Sequence, residues 1–169
     1  MPAGAIAFFD GRSSSLAHAI SFFADASSSV AGANAKLVRT QVGDRYVVEA
    51  MRHGRLFLAG YAAHVVPPTG AKGLNLAVSD GFSLARALGA FYSQGATGLL
   101  DSYSDMALRR VWSSVRISWY LTTLLHRFPG ATDFDQRAQE YELEYLNSSH
   151  HAQVALAEQY AGLPFEGAG

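Results

Sequence analysis

The run Val65-Val66-Pro67-Pro68-Thr69-Gly70-Ala71-Lys72-Gly73 most constrains what this chain can become. Its two adjacent prolines forbid helix and hold the backbone extended. Gly70 and Gly73 then permit tight backbone geometry. Before the run stands Arg55 to Gly60, short and nearly all apolar, the pattern of a strand covered on both faces. After it the sequence period turns helical through Leu76, Ala77, Asp80 and Leu84. The segment therefore reads as a strand, a glycine-rich turn and a helix start. A helix opening at Gly73 or Leu74 presents unpaired backbone N–H groups and a partial positive end, which suits an anion. Lys72 adds a cation and Asn75 an amide at the same mouth. An ordinary strand–loop–helix turn with a surface lysine has the same spacing, and spacing alone favours that plainer reading about two to one.

The rest of the chain supplies few strands and many helices. Tyr46-Val47-Val48, inside Arg45 to Met51, predicts a second strand, and His53-Gly54 a turn. The helix from Leu74 is expected to reach about Tyr92 and to stop at Gly95. Another is expected from Leu99 or Asp101 to about Phe128, ended by Pro129-Gly130. Thr132-Asp133 caps a third, to about Leu146. Ser148 or Ser149 opens a fourth, to about Tyr160, which Gly162-Leu163-Pro164 ends. Two strands make a poor sheet, so partner strands are expected from elsewhere. The expected fold class is α+β, a short strand pair followed by a helix-rich C-terminal body.

Composition narrows the function classes. A chain of 169 residues fits one domain. With 49% hydrophobic and 16% charged residues, it has a globular composition. A net charge of -1 offers no basic field for nucleic acid. The absence of cysteine excludes disulfides, thiolate metal sites and a cysteine nucleophile. Ala5 to Phe9 is too short and lacks the basic residue of a signal peptide, and no apolar stretch spans a bilayer. The expectation is a cytoplasmic protein without a membrane or nucleic-acid partner. Residues 1–43 stand apart, with Ser13-Ser14-Ser15 and Ala26-Ser27-Ser28-Ser29. They carry little large apolar surface, so order is not expected there beyond a helical turn or two in Leu16 to Phe23.

From about Tyr46 to Phe165 several runs carry a specific resemblance. They include Gly54-Arg55-Leu56-Phe57-Leu58-Ala59-Gly60, Ala62-Ala63-His64, Val66 to Ala77, Leu125-His126-Arg127-Phe128-Pro129 and Glu142-Leu143-Glu144-Tyr145. The chain resembles the C-terminal part of the flavoprotein aromatic hydroxylases, in their 4-hydroxybenzoate-hydroxylating branch. The resemblance implies that residues 44–169 are the FAD- and substrate-contacting part of such a fold. It implies FAD as cofactor, NADPH as co-substrate, a phenolic acid such as 4-hydroxybenzoate as substrate, and a homodimer. By matching position, Gly60 and Tyr61 would meet the flavin ribityl chain. Gly73, Leu74 and Asn75 would touch the isoalloxazine edge, where backbone N–H groups favour negative charge. Lys72 would add positive potential near the flavin, and His64 would lie near the cofactor. Pro68 and Thr69 would line the substrate ring pocket, with the Pro68 carbonyl near the phenol. Tyr160 would carry the catalytic role, in a hydrogen-bond relay that helps form the more nucleophilic phenolate.

The chain also departs from that pattern. It has no Gly-x-Gly-x-x-Gly unit to hold the ADP part of FAD. Phe9-Asp10-Gly11-Arg12 only superficially resembles the family's Asp-Gly element. The serine, arginine and tyrosine that grip the substrate carboxylate in the family have no counterparts. Tyr61 stands where the family has an aspartate for the ribityl hydroxyls. A carboxylate accepts hydrogen bonds on a short stem, whereas a phenol is bulky and reaches further. FAD binding is therefore expected to be weakened or blocked, and the chain alone to be inactive. Residues 1–43 are expected to be a reading-frame product or fusion joined to a hydroxylase segment. The alternative is a non-catalytic remnant that self-associates through the Leu99–Phe128 helix. Plainer readings stand beside these roles. Tyr160 can simply cap a core, and His64 can be a hydrogen-bonded loop histidine. His150-His151 reads as a solvated face, because neighbouring helical side chains diverge. His126 reads as a helix C-terminal charge. Trp112 and Trp119, seven apart, read as core or subunit contact. Asp101, Asp105, Arg109 and Arg110 read as surface ion pairs.

Overall fold

Tyr46-Val47-Val48 does form a strand, but the sheet around it is built partly from residues of the segment expected to stay unordered. The structure, a computed structural model, describes residues 6–7, 37–39 and 45–164. The proposed turn at Leu16–Phe23 and the Phe9–Arg12 element lie outside the described residues. The strands are β1 (Ile6–Ala7), β2 (Leu37–Arg39), β3 (Tyr46–Val48), β4 (Arg52–His53), β5 (Leu56–Leu58) and β6 (His64–Val65). The helices are α1 (Gly73–Gln94), α2 (Gly98–Asp101), α3 (Tyr103–Leu125), α4 (Asp133–Ser148) and α5 (His150–Ala161). Two 3-10 turns, Gly60–Ala62 and Pro68–Gly70, flank β6. The described residues divide into two compact units. One holds the strands, α1, α2 and α3 up to Val111; the other holds Pro67–Lys72 and the chain from Trp112.

In the first unit the expected strand pair becomes two three-stranded sheets, in the orders β1-β5-β4 and β2-β3-β6. The partner strands come from residues 6–7 and 37–39. β1 runs parallel to β5, with Ile6 opposite Phe57, and β2 runs antiparallel to β3, with Leu37 opposite Val48. The turn at His53-Gly54 is present. Arg52 faces Phe57 and His53 faces Leu56 across a two-residue loop, and Gly54 takes φ +57. A hairpin that tight requires a left-handed residue, which glycine adopts without a Cβ clash.

The core of this unit forms where the sheets meet the apolar sides of α1 and α3. Met51, Phe57, Leu84 and Tyr103 are buried in it, with Phe57 and Tyr103 edge to face at 5.8 Å and 69°. The Tyr103 hydroxyl donates to the Leu58 carbonyl at 2.8 Å, so its polar end is satisfied inside. Burial, helped by the nearby negative charge of Asp80, pushes this phenol far above its ordinary range, and it stays a neutral donor. Tyr103→Phe removes that donor from the buried carbonyl. It is expected to cost about 1–2 kcal/mol in equilibrium urea unfolding, and an unchanged midpoint would show that the bond contributes nothing.

The helix expected from Leu99 or Asp101 to Phe128 is broken and shorter. Ser102 separates α2 from α3, and its hydroxyl donates back to the Gly98 carbonyl at 2.9 Å. α3 ends at Leu125, because the ring of Pro129 is incompatible with continued helix through the residues before it. Asp101 is a surface pair as expected, and its partner is Arg52 of β4 at 2.6 Å. The hydrogen bond from that guanidinium holds its carboxyl below the usual range.

In the second unit α4 opens as anticipated. Thr132 is its N-cap, and Thr132 and Asp135 form a reciprocal capping box. Ser149 caps α5 in turn, its hydroxyl accepting from the Ala152 N–H. The Gln139 side-chain amide on α4 reaches the carbonyls of Thr123, Leu124 and His126 at 3.1, 2.6 and 3.2 Å. It thereby covers acceptors that the end of α3 leaves open. The reading of Trp112 and Trp119 as core fails: Trp119 is 65% exposed and Trp112 37%. Neither α4 nor α5 contains a buried residue.

Candidate functional site

The first unit places Gly60, Tyr61, His64, Gly73, Leu74 and Asn75. Gly60 is buried at the start of its 3-10 turn with φ +60, a conformation that favours glycine. A Cβ there would lie 3.2 Å from that of Ala77 on α1, so the missing side chain also lets turn and helix approach closely. The turn is fastened at three points. The Gly60 N–H donates to Asp80 Oδ2 at 2.9 Å, the Gly60 carbonyl accepts from the Ala63 N–H at 2.9 Å, and the Tyr61 carbonyl accepts from the Tyr46 hydroxyl. The Tyr61 side chain, half exposed, is launched from this fastened backbone.

His64 is not a loop residue. It lies in β6, fully buried, with Nε2 2.8 Å from Asp80 Oδ2. The hydrogen-bonded reading holds, and its burial leaves no face open to a ligand. Asp80 is the residue that sequence reasoning missed. It is 1% exposed, and one of its oxygens serves both Gly60 and His64 while the other, Oδ1, has no hydrogen-bond partner among the described residues. A signal was present. Leu76, Asp80, Leu84 and Ala87 share the buried side of α1, so an acid occupies a position in an apolar stripe. A buried acid at such a position needs a partner.

At the start of α1, Leu74 and Asn75 are exposed and Gly73 half-buried, and no acidic residue occupies the first turn. The open N–H groups of that turn are therefore not neutralised by the helix's own side chains.

The second unit places Pro68, Thr69, Lys72 and Tyr160. Pro68–Gly70 is a 3-10 turn closed by Ala71, whose N–H donates to the Pro68 carbonyl at 2.8 Å and whose φ is +50. That carbonyl keeps a second lone pair. Thr69 Oγ1 lies 2.6 Å from Thr122 Oγ1 on α3, and Thr122 donates to the Ser118 carbonyl at 2.7 Å. Gly70 is buried against Ser118; a Cβ on it would stand 2.4 Å from Ser118 Oγ. The Lys72 ammonium donates to the Tyr160 carbonyl and sits 4.2 Å from the centre of the Tyr160 ring. Two of the expected site residues thus meet. Tyr160 is 49% exposed, so the reading of it as a core cap fails.

Other expected features fall elsewhere. A cleft of about 690 Å3 lies between the end of α3 and α4, lined among others by Trp119, Tyr120, Arg127, Phe128 and Glu142, and none of the candidate residues lines it. Within it the Tyr120 hydroxyl donates to Glu142 at 2.7 Å. Partial burial first, and that acceptor second, push the phenol up to about 12. His150 and His151 are exposed, and no group of three metal-ligating side chains occurs among the described residues. No helix of the described residues is long and apolar enough to cross a membrane.

Known proteins resemble this chain over parts of its length. The FAD binding domain family matches residues 24–118, more than half of the chain. That match begins ahead of the boundary expected near Asp44. The p-hydroxybenzoate hydroxylase of Acinetobacter baylyi is 54% identical over 121 residues, which cover 72% of this chain and 30% of that protein. The aklavinone 12-hydroxylase of Streptomyces purpurascens is 53% identical over 60 residues, covering 35% of this chain and 11% of its own length. Among solved structures, p-nitrophenol 4-monooxygenase from Pseudomonas putida DLL-E4 superposes with a TM-score of 0.55 at 25% identity, over 72% of this chain and 32% of that one. The chain thus spans about a third or less of the relatives it matches. It belongs to the FAD-binding domain family, within the flavoprotein aromatic hydroxylases, and is similar to the C-terminal part of p-hydroxybenzoate hydroxylase.

Proposed function

We propose that this chain is the flavin- and phenol-facing part of a 4-hydroxybenzoate 3-hydroxylase type of monooxygenase, which uses FAD, NADPH and a phenolic acid in the cytoplasm. The observation that carries the reading is the open first turn of α1, free of acidic residues, in a chain of the FAD-binding family. Backbone N–H groups there fit the electron-rich edge of an isoalloxazine ring. Bound flavin supplies the oxygen activation and electron transfer that no side chain provides. In this reading Gly73, Leu74 and Asn75 hold the ring edge, Lys72 adds positive potential, and Gly60 and Tyr61 face the ribityl chain. Pro68 and Thr69 orient the phenol, with the Pro68 carbonyl near its hydroxyl. Tyr160 belongs to the hydrogen-bond relay that takes the phenol proton away towards solvent, so that the ring reacts as the more nucleophilic phenolate. Residues 44–169 form the part that carries these roles.

FAD titrated into the chain, followed by quenching of flavin fluorescence, tests the reading. Tyr61→Asp is expected to tighten FAD about tenfold by restoring a charged acceptor for hydroxyl donors. Failure of the Tyr61→Asp protein to take up FAD would sink it. Exposed Trp119 also favours the homodimer that goes with this reading. Trp119→Glu is then expected to shift a sedimenting dimer to monomer, and a wild-type monomer would remove that part of the proposal.

A further inference from the structure

We infer that Asp80 is a positioning residue, which sets the direction of the residue-61 side chain by clamping the Gly60 turn to His64 through one shared carboxylate oxygen. Its functional meaning rests on the flavin reading above, because residue 61 matters only where it faces a ligand.

The geometry points to a device more specific than core packing. Asp80 Oδ2 accepts from the Gly60 N–H at 2.9 Å and pairs with His64 Nε2 at 2.8 Å. Three separate elements, the Gly60 turn, β6 and α1, are thereby tied at one atom. With Asp80 as acceptor, His64 Nε2 carries the donated hydrogen. Asp80 and His64 are 1% and 2% exposed, so water does not compete for these bonds. The turn they hold contributes no large apolar group. Gly60 has no side chain, and Tyr61 is 51% exposed. Close packing on α1 brings the turn up to the helix, and the hydrogen bonds add the direction that small side chains cannot. Of the three fastenings, the Ala63 N–H bond is internal to the turn, and the Tyr46 hydroxyl holds the far side of residue 61. Among the described residues, Asp80 alone fastens the entry to the turn, at the φ +60 glycine where the chain changes direction. Rotation about Gly60 would swing Tyr61 as a unit. Glycine leaves that rotation cheap unless its N–H is held.

Asp80→Asn tests this in the full chain. The amide keeps the shape and an acceptor oxygen but gives up the negative charge, and bonds to a charged acceptor are the stronger kind. Hydrogen exchange of the Gly60 amide, read by NMR, is expected to speed up about tenfold, with the amides of Val111 and Ile117 unchanged. Asp80→Ala, which keeps neither bond, is expected to release Gly60 further. His64→Gln, which retains an N–H donor, is expected to stay within about threefold of wild type. The His64 ring should show its proton on Nε2 in the wild type. Flavin titration of the same variants in the Tyr61→Asp background gives a second readout. A chain that takes up no FAD yet releases Gly60 selectively upholds the clamp and sinks the flavin reading. A chain that takes up FAD while Gly60 exchange is unchanged in Asp80→Asn overturns the clamp and leaves the flavin reading standing. Uniform acceleration at all three amides in Asp80→Asn also overturns it, since that is the mark of a merely structural residue.

Discussion

Asp80→Leu is expected to lower the free energy of unfolding by about 3 kcal/mol, the largest effect of any single change considered for this chain. Leucine keeps the branched shape of aspartate and leaves no cavity, but it is larger, so overpacking adds to the lost hydrogen bonds. Two donors are left behind, the Gly60 N–H and His64 Nε2, both buried. An orphaned buried donor costs about 1–3 kcal/mol. The companion double variant His64→Leu with Asp80→Leu separates the terms. Replacing both sides of a buried pair by apolar groups is often near neutral, whereas removing one side is not. The double variant is therefore expected to recover about half of the loss, the Gly60 N–H remaining unpaired. Equilibrium urea unfolding checks both values. A single variant within about 0.5 kcal/mol of wild type would mean that the pair contributes nothing.

Gly70→Ala is expected to cost about 2 kcal/mol. Its added Cβ falls 2.4 Å from Ser118 Oγ and 3.4 Å from Ser118 Cβ, on a serine that is fully buried. Ser118 Oγ has no hydrogen-bond partner among the described residues, so turning it away breaks no bond. What resists is space, because a close-packed interior gives by tenths of an ångström and not by a whole one. The strain is also local to the candidate phenol loop. Thr69, next to Gly70, holds Thr122 on the same helix as Ser118. Ser118→Ala removes the clashing atom. The double variant Gly70→Ala with Ser118→Ala is thus expected to regain most of the lost stability in thermal melts. Equal melting temperatures for Gly70→Ala and wild type would show that the loop simply lifts off.

These two residues mark where local reading stopped. Gly70 was visible as a residue that permits tight geometry, but the reason for it is Ser118, forty-eight positions away in the chain. Asp80 was visible only as one member of a helical period. Its partners are on β6 and the Gly60 turn, and neither spacing nor composition names them. The capping residues behaved differently. Thr132 and Ser149 each act on an N–H three residues ahead; Thr132 was legible, and Ser149 as one of two neighbouring serines. The helix from Leu99 to Phe128 failed at its ends for a mixed reason. Pro129 gave a local stop that should have been set earlier, while Ser102 interrupts a periodic stretch with no local breaker.

The segment before Asp44 carries the same lesson. Its composition offers little apolar surface, which is a sound argument about cores and a poor one about edge strands. Residues 6–7 and 37–39 join their sheets through main-chain pairing to β5 and β3. Main-chain hydrogen bonds depend on register with a partner strand and hardly on side-chain type.

By itself the sequence determined everything that depends on neighbours within a turn or two: the strand, proline loop and helix order from Leu56 to Gln94, the capped helices beyond Thr132, and family membership through matching runs. The tertiary structure alone decided the two-sheet arrangement, the exposure of Trp119, the meeting of Lys72 with Tyr160, and the fastening of the Gly60 turn by Asp80. The physical reason is range. Dihedral preferences, capping and helical period act over about four residues, whereas a buried carboxylate finds its donors only after the chain has brought distant backbone to it.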